Sequence, residues 1–287
     1  MATLSGLEAT RRIGQYIGAY RIEGFLGSGG MGMVHLARDP RLRRTVAIKV
    51  VDPSKHDRNA PHLLIREARL AAALNHPSIC SIHEIGRLGD DPFVVMEHVE
   101  GATLAAILDQ RGALPFETAL HYQMQIVDAV AHAHDREIVH GDLKSSNVMI
   151  EVDGRVKILD FGLAVQRVVP GARQASAALT TAPAPPTSCA GTVPYMAPEL
   201  LRGREPELHS DIWALGVLFF EMLAGSRPFR GGTTYELAAA ILANEQAPLA
   251  VRVPGVVRQV IGRCLLTRPS DRYPTARHLA AALDDLQ

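Results

Sequence analysis

The pattern of the chain changes once, near residues 97 to 101, and that change limits the folds open to it. Ahead of it, "YRIEGFLGSGGMGMVHLARD" sets β-type residues on both sides of a glycine cluster, and "TVAIKVV" is a further strand-like run. "APHLLIREARLAAAL" (60–74) has helical periodicity, and "HPSICSIHEIGRLGDDPFVVMEHVEG" returns to a pair of strands with a turn at Gly89-Asp90-Asp91. Beyond Gly101 the patterns are helical: "FETALHYQMQIVDAVAHAHDRE", "DIWALGVLFFEMLAG", "TYELAAAILAN", "VVRQVIGRCL" and "ARHLAAALDDLQ", each bounded by polar residues, Gly or Pro. The expectation is an α+β protein with a small β-rich front carrying one main helix and a larger helical back. Residues 170–188, rich in Ala, Pro, Ser and Thr, have no periodicity and read as a loop.

Composition removes several functional classes. Thirty Lys plus Arg balance thirty Asp plus Glu, so no bulk field draws the chain to nucleic acid or anionic lipid. Cys80, Cys189 and Cys264 form no CxxC pair, which fits free thiols in a reducing compartment and gives no zinc site. The longest apolar run, Ile212 to Phe220, ends at Glu221 and is too short to span a bilayer, and no N-terminal signal pattern is present. The expected setting is the cytoplasm, with no membrane contact from this segment.

The chemistry starts at Gly27-Ser28-Gly29-Gly30-Met31-Gly32. Glycines let a tight strand-loop-strand turn bring its amides against phosphate, because no Cβ intervenes. Taken alone, the same letters also describe an ordinary hairpin turn; a strand follows them, whereas a dinucleotide fold needs a helix there. Lys49 lies inside the apolar "VAIK" run, and Glu67 in the next helix could pair with it. Each has a bland alternative, a strand-edge lysine and a solvated helix glutamate. "IVHGDLKSSNVMI" (138–150) supplies Asp142, Lys144 and Asn147 between β-branched runs, and "KILDFGLA" supplies Asp160. "GTVPYMAPE" and "SDIWALGV" follow, with Glu199 and Asp211. The histidines His121, His132 and His134 show no metal-ligand spacing and read as surface or packing residues.

In this order, from Tyr20 to about Leu286, these motifs resemble the protein kinase signature set. The wording "GSGGMGMV", "REARLAAALNHPSI" and "VMEHVEG" is most similar to the eukaryotic-like serine/threonine kinases of bacteria. "HGDLxxxN" is also how aminoglycoside-type phosphotransferases write their catalytic loop, but those proteins typically lack the "APE" element and the "SDIWALGV" helix. A pseudokinase scaffold is the other alternative, and it sits poorly with a full set of Lys49, Glu67, Asp142, Asn147 and Asp160.

The resemblance implies a two-lobed fold, with an extension over 1–19, a small lobe over 20–96, a hinge at 97–101 and a large lobe over 102–287 whose activation segment is 160–199. It implies transfer of the γ-phosphate of ATP to Ser/Thr hydroxyls of protein substrates, in bacterial signalling and with autophosphorylation. Lys49 would hold the α- and β-phosphates and Glu67 would hold Lys49. Asn147 and Asp160 would take Mg²⁺, or Mn²⁺ in its place. Asp142 would orient the acceptor hydroxyl, and Lys144 would neutralise charge on the moving phosphate. Leu26, Gly27, Ser28, Gly29, Gly30, Met31 and Gly32 would cover the nucleotide. Its adenine would meet Val34 and Ala47 on one side and Met149 on the other, with Glu97 and Val99 reading the edge and Met96 at the rear. Arg272 would be the buried partner of Glu199, and Asp211 a scaffold for the catalytic loop. Thr192 fits a Ser/Thr preference. Gly141 departs from the family, in which this position is most often arginine, so the usual link from loop phosphorylation to the catalytic residues would be missing. The similar bacterial kinases often continue into a membrane anchor and a sensor.

Overall fold

The computed structural model describes residues 12–28, 32–51, 60–89, 91–160, 165–166, 192–249 and 253–286. They form two compact units, one running to Asn75 and resuming over Cys80–Glu100, the other made of His76–Ile79 with the chain from Gly101 onward.

The first unit is an antiparallel sheet in the order β1-β2-β3-β4-β6-β5. Its strands are β1 (Tyr16–Ile17), β2 (Tyr20–Ser28), β3 (Gly32–Asp39), β4 (Arg44–Val51), β5 (Ile82–Leu88) and β6 (Asp91–Glu97), with helix α1 (Ala60–Ala72) between β4 and β5. β1 pairs with β2 through Tyr16 and Arg21, so the sheet begins ahead of Tyr20. Alternation sorts the side chains. Ile22, Met33, Val46, Ile48, Val50, Phe93 and Val95 pack into one apolar cluster on one face. The residues between them, Val34, Ala47, Lys49, Val94 and Met96, therefore belong to the other face. Gly32 opens β3 where a methyl group would overlap the Val50 carbonyl, so only glycine lets the strand start against β4.

The second unit is mainly helical. Its strands are β7 (Gly101–Thr103), β8 (Ile138–Val139), β9 (Val148–Glu151), β10 (Val156–Ile158) and β11 (Val165–Gln166). Its helices are α2 (Leu104–Arg111), α3 (Phe116–His134), α4 (Pro198–Leu201), α5 (Leu208–Ala224), α6 (Thr234–Ala243), α7 (Gly255–Cys264) and α8 (Ala276–Asp284). Helix α5 is the centre: every residue from Ser210 to Leu223 is buried, and it packs against α3, α7 and α8. That burial explains why "IWALGVLFF" is apolar all round, as a core helix must be. Glu207 and Ser210 close a capping box at its start, and Gly225 ends it in a left-handed conformation at φ 65°. Helix α2 was not foreseen. Among the described residues no helix is long and apolar enough to cross a membrane.

The base of α5 is held by ions. Arg272 binds both oxygens of Glu199, at 2.7 and 2.8 Å, and neither side chain is more than 6% exposed. Its remaining donors go to the carbonyls of His209, Leu266 and Thr267, and the guanidinium lies 5.0 Å from the Trp213 ring. Burial alone would raise the Glu199 carboxyl, but the hydrogen bond and charge of Arg272 hold it below its usual value of 4.5.

Two outcomes are expected from this pair. Arg272→Ala should cost roughly 3–5 kcal/mol, because Glu199 is left charged and buried, and calorimetry that finds an unchanged melting temperature would refute the buried pair. A carboxyl depressed in the folded state adds stability that is complete above its unfolded value of 4.5 and is lost as pH falls through the lower, folded value. Melting curves should therefore drop more steeply below that pH for the native chain than for Glu199→Gln.

Candidate active site

Val34, Ala47, Lys49 and Met96 lie on the sheet face opposite the apolar cluster of the first unit. Register places Val34 beside Lys49 and Lys49 beside Val94, and in the next row Leu36 beside Ala47 and Ala47 beside Met96. Ala47, Met96 and Val99 are buried, Glu97 is half-buried, and Leu26 is exposed on β2. Gly27 and Ser28 end β2 opposite Val34 and Met33, while Gly29, Gly30 and Met31 lie outside the described residues. Helix α1 packs on β4, β5 and β6 and brings Glu67 Oε1 to 3.2 Å from Lys49 Nζ. Both side chains are under a tenth exposed, so the paired glutamate compensates the buried lysine charge.

In the second unit the loop between β8 and β9 carries Asp142, Lys144 and Asn147. Its geometry is set from below by Asp211, in the first turn of α5. Asp211 Oδ2 accepts the amide of His140 at 2.8 Å, and Oδ1 accepts that of Gly141 at 2.9 Å. The same carboxylate lies 2.9 Å from His134 Nε2 at the end of α3. Burial would raise Asp211, yet these donors hold it below its usual carboxylate range, which is the charged state the amides require. Asp211 thus acts as the scaffold expected of it.

His140 braces the loop from its other side. Nδ1 accepts the amide of Asp142 at 3.2 Å and Nε2 reaches the Leu159 carbonyl at 3.2 Å, an arrangement that fits an imidazole protonated at Nε2. The side-chain nitrogen of Asn147 donates to the Asp142 carbonyl at 2.9 Å, and the Asn147 backbone carbonyl accepts the amide of Leu159 at 2.8 Å. Asp160 follows Leu159 directly, in a left-handed conformation at φ 44°. The catalytic loop and the end of β10 are therefore linked through Asn147.

Asp142 sits at the meeting point. Lys144 Nζ is 2.7 Å from Oδ2 and also donates to Thr192 Oγ1 at 3.1 Å. Oδ1 is buried and has no hydrogen-bond partner among the described residues. A buried acceptor left unmet is costly, and one beside a lysine can take a proton-bearing group from a partner. Asn147, whose side-chain nitrogen is engaged by Asp142, keeps its side-chain carbonyl as an oxygen of the kind hard divalent cations prefer. Met149, half-buried, follows on β9 paired with Thr103.

Gly141 lies between Asp211 and Asp142 with φ 75°. That conformation costs an ordinary residue about 1–2 kcal/mol, so the backbone itself favours glycine here, whatever the missing side chain does for regulation. A small cavity beside it is lined by Asp142, Thr192, Tyr195, Ser210 and Asp211. His134, read from sequence as a surface or packing histidine, is buried and supports Asp211. Only its place at the end of an amphipathic helix marked it, and nothing in the sequence pairs it with a residue 77 positions away. Phe161, Gly162 and the loop 170–188 lie outside the described residues, as does Cys189.

A carboxylate with one buried, unmet oxygen, a lysine beside it and, in the first unit, a buried lysine–glutamate pair are residue types that a phosphotransferase uses. The model for the protein kinase domain matches residues 20–282, and the chain belongs to that family. It is 38% identical over 269 residues to the serine/threonine-protein kinase PrkC of Bacillus subtilis, covering 92% of this chain and 40% of that protein. It is 35% identical over 277 residues to the serine/threonine-protein kinases PknB of Mycobacterium leprae and Mycobacterium tuberculosis, covering 92% of this chain and 42% of each. The chain thus spans about two fifths of the length of these curated relatives. The fold is that of a protein kinase, and membership implies use of ATP with a divalent metal.

Gly141→Ala should lower stability by about 1–2 kcal/mol through its positive φ. A thermal melt of the variant that coincides with wild type would mean the loop can relax to an ordinary conformation.

Proposed function

We propose that this chain is a serine/threonine protein kinase module that moves the γ-phosphate of Mg-ATP to hydroxyls of protein substrates, in bacterial signalling and with autophosphorylation. The observation that carries this reading is the Asp142 carboxylate, held by Asn147 and Lys144 with one buried oxygen unmet. Bound ATP supplies the phosphoryl group, and a divalent cation neutralises its charge. Phosphoryl transfer proceeds through a loose transition state, so the residues contribute mainly placement and charge. Asp142 Oδ1 accepts the acceptor O–H, orients the hydroxyl and receives its proton. Lys144, already within reach of both Asp142 and Thr192, balances charge on the transferring group. Lys49, fixed by Glu67, holds phosphate oxygens, and Asn147 and Asp160 would hold the divalent cation. Leu26 through Gly32 cover the nucleotide. Val34 and Ala47 meet its base on one side and Met149 on the other, backbone groups of Glu97 and Val99 pair with its edge, and Met96 stands at the rear.

The kinase module is taken to run from Tyr20 to the end of the chain, with a hinge over 97–101 and an activation segment over 160–199. In a longer protein it would be the cytoplasmic kinase domain of a membrane-anchored protein. The presence of Glu199 bound to Arg272 below a long α5 supports a protein acceptor over a small molecule, because a peptide needs a braced platform.

Asp142→Asn should lower transfer to a basic test protein by about 10²–10⁴-fold, the size of a lost general base, and Lys49→Ala should do so through the phosphates. Wild-type single-turnover rates from both variants would end the assignment. For Gly141, alanine at Ser176, Thr180, Thr181, Thr187 and Ser188 together should leave initial rates within about tenfold of phosphatase-treated wild type, a barrier change of about 1.4 kcal/mol. A loss of a hundredfold or more would show that loop phosphates govern activity by a route that does not use residue 141.

A further inference from the structure

Ser145 follows Lys144, opens the short turn Ser145–Asn147 and is buried. Oγ lies 2.7 Å from the Tyr195 hydroxyl, which lies 2.6 Å from Glu221 Oε2 on α5. Proton supply fixes the direction of this chain. The Tyr195 hydroxyl donates to Glu221, which leaves its oxygen open to accept from Ser145. Burial raises the Tyr195 phenol far above its usual value, so that proton stays in place. Arg227 Nε, 3.4 Å from the other Glu221 oxygen, closes the line, and its guanidinium sits over the Tyr195 ring at 5.7 Å.

The catalytic loop is therefore tied to the turn Val193–Tyr195 and its flank twice, by Lys144 to Thr192 and by Ser145 to Tyr195. The two ties differ in what the reaction asks of them. Lys144 has to leave part of its contact with Thr192 when it turns to the transferring phosphate. Ser145, Tyr195 and Glu221 carry no charge or proton in the reaction and can stay linked throughout it. Removing one member leaves a buried hydroxyl or carboxylate short of a partner and frees the segment to shift, and an ångström of misplacement at a reacting centre is enough to slow it strongly.

We propose that Ser145 is a positioning residue for phosphate transfer: through Tyr195 and Glu221 its hydroxyl keeps the segment beginning at Thr192 in register with Asp142, so that an acceptor hydroxyl resting on that segment meets the carboxylate. This rests on the phosphotransferase reading above.

The test uses the full chain, Mg-ATP and one serine peptide. Ser145→Ala and Tyr195→Phe should each lower kcat for the peptide by about tenfold, a barrier change of about 1.4 kcal/mol, with the KM for ATP unchanged. The double variant should be no slower than either single one, since both break the same link. Wild-type kcat in the single variants overturns the proposal, as do multiplying losses in the double variant or a matching rise in the KM for ATP. Tyr195→Phe keeps the ring under Arg227, so it carries the test if Ser145→Ala does not fold. Asp142→Asn, run alongside, separates the two readings. An active wild type and inactive Asp142→Asn with a fully active Ser145→Ala defeats only the register role, whereas a wild type that transfers nothing defeats both.

Discussion

The site depends first on one buried carboxylate. Asp211 is 1% exposed, and its oxygens take the amides of two successive residues, His140 and Gly141, with His134 as a third donor. A carboxylate binding consecutive amides fixes the direction of the chain that bears them, here in a conformation with φ 75° at Gly141. Asp142 comes next, so its side chain is placed by a backbone that cannot rotate freely. The rigidity originates in α5, whose own position is secured by burial of nearly its whole surface. The placement of Asp142 is thus inherited from the core.

Charge in the interior follows a consistent rule. Lys49 meets Glu67, Arg272 meets Glu199, and Asp211 meets His134. Each is a buried ion with its counter-charge or donor in contact, the condition under which burial is tolerated. Glu221 differs in degree. Burial lifts its carboxyl above the usual range despite the Tyr195 and Arg227 contacts, which places it in a weaker field than Glu199, where a bidentate arginine reverses the shift. The strongest pair therefore sits at the base of α5, and the softer one on the line that reaches the loop between β8 and β9.

Much of this was legible in the letters because the decisive residues lie on regular elements. Alternation in "TVAIKVV" alone places Ala47 and Lys49 on one face and Val46, Ile48 and Val50 on the other, as the sheet has them. The all-apolar "IWALGVLFF" implies a buried helix, and α5 is one. Helix α2 escaped notice because it buries only Leu104 and Leu108, too short a stripe for periodicity to register, and starts directly after a strand. Its start is marked instead by Thr103, whose hydroxyl accepts the amide of Ala106. The Ser145–Tyr195–Glu221 line was invisible for a different reason. Its members are 50 and 26 positions apart, and each residue type has a common role on its own.

Gly141 shows how a single letter can carry two causes that only coordinates separate. From sequence, glycine there is the absence of a side chain, and the inference concerns what a cation would have gripped. From structure, it is also the presence of a conformation, because Asp211 holds its amide and the backbone turns left-handed at that point. An arginine in this place would have to bear the conformational cost as well as supply its charge, and the support from Asp211 would have to cover that cost. With glycine the cost is absent, so the hold of Asp211 goes wholly into fixing Asp142.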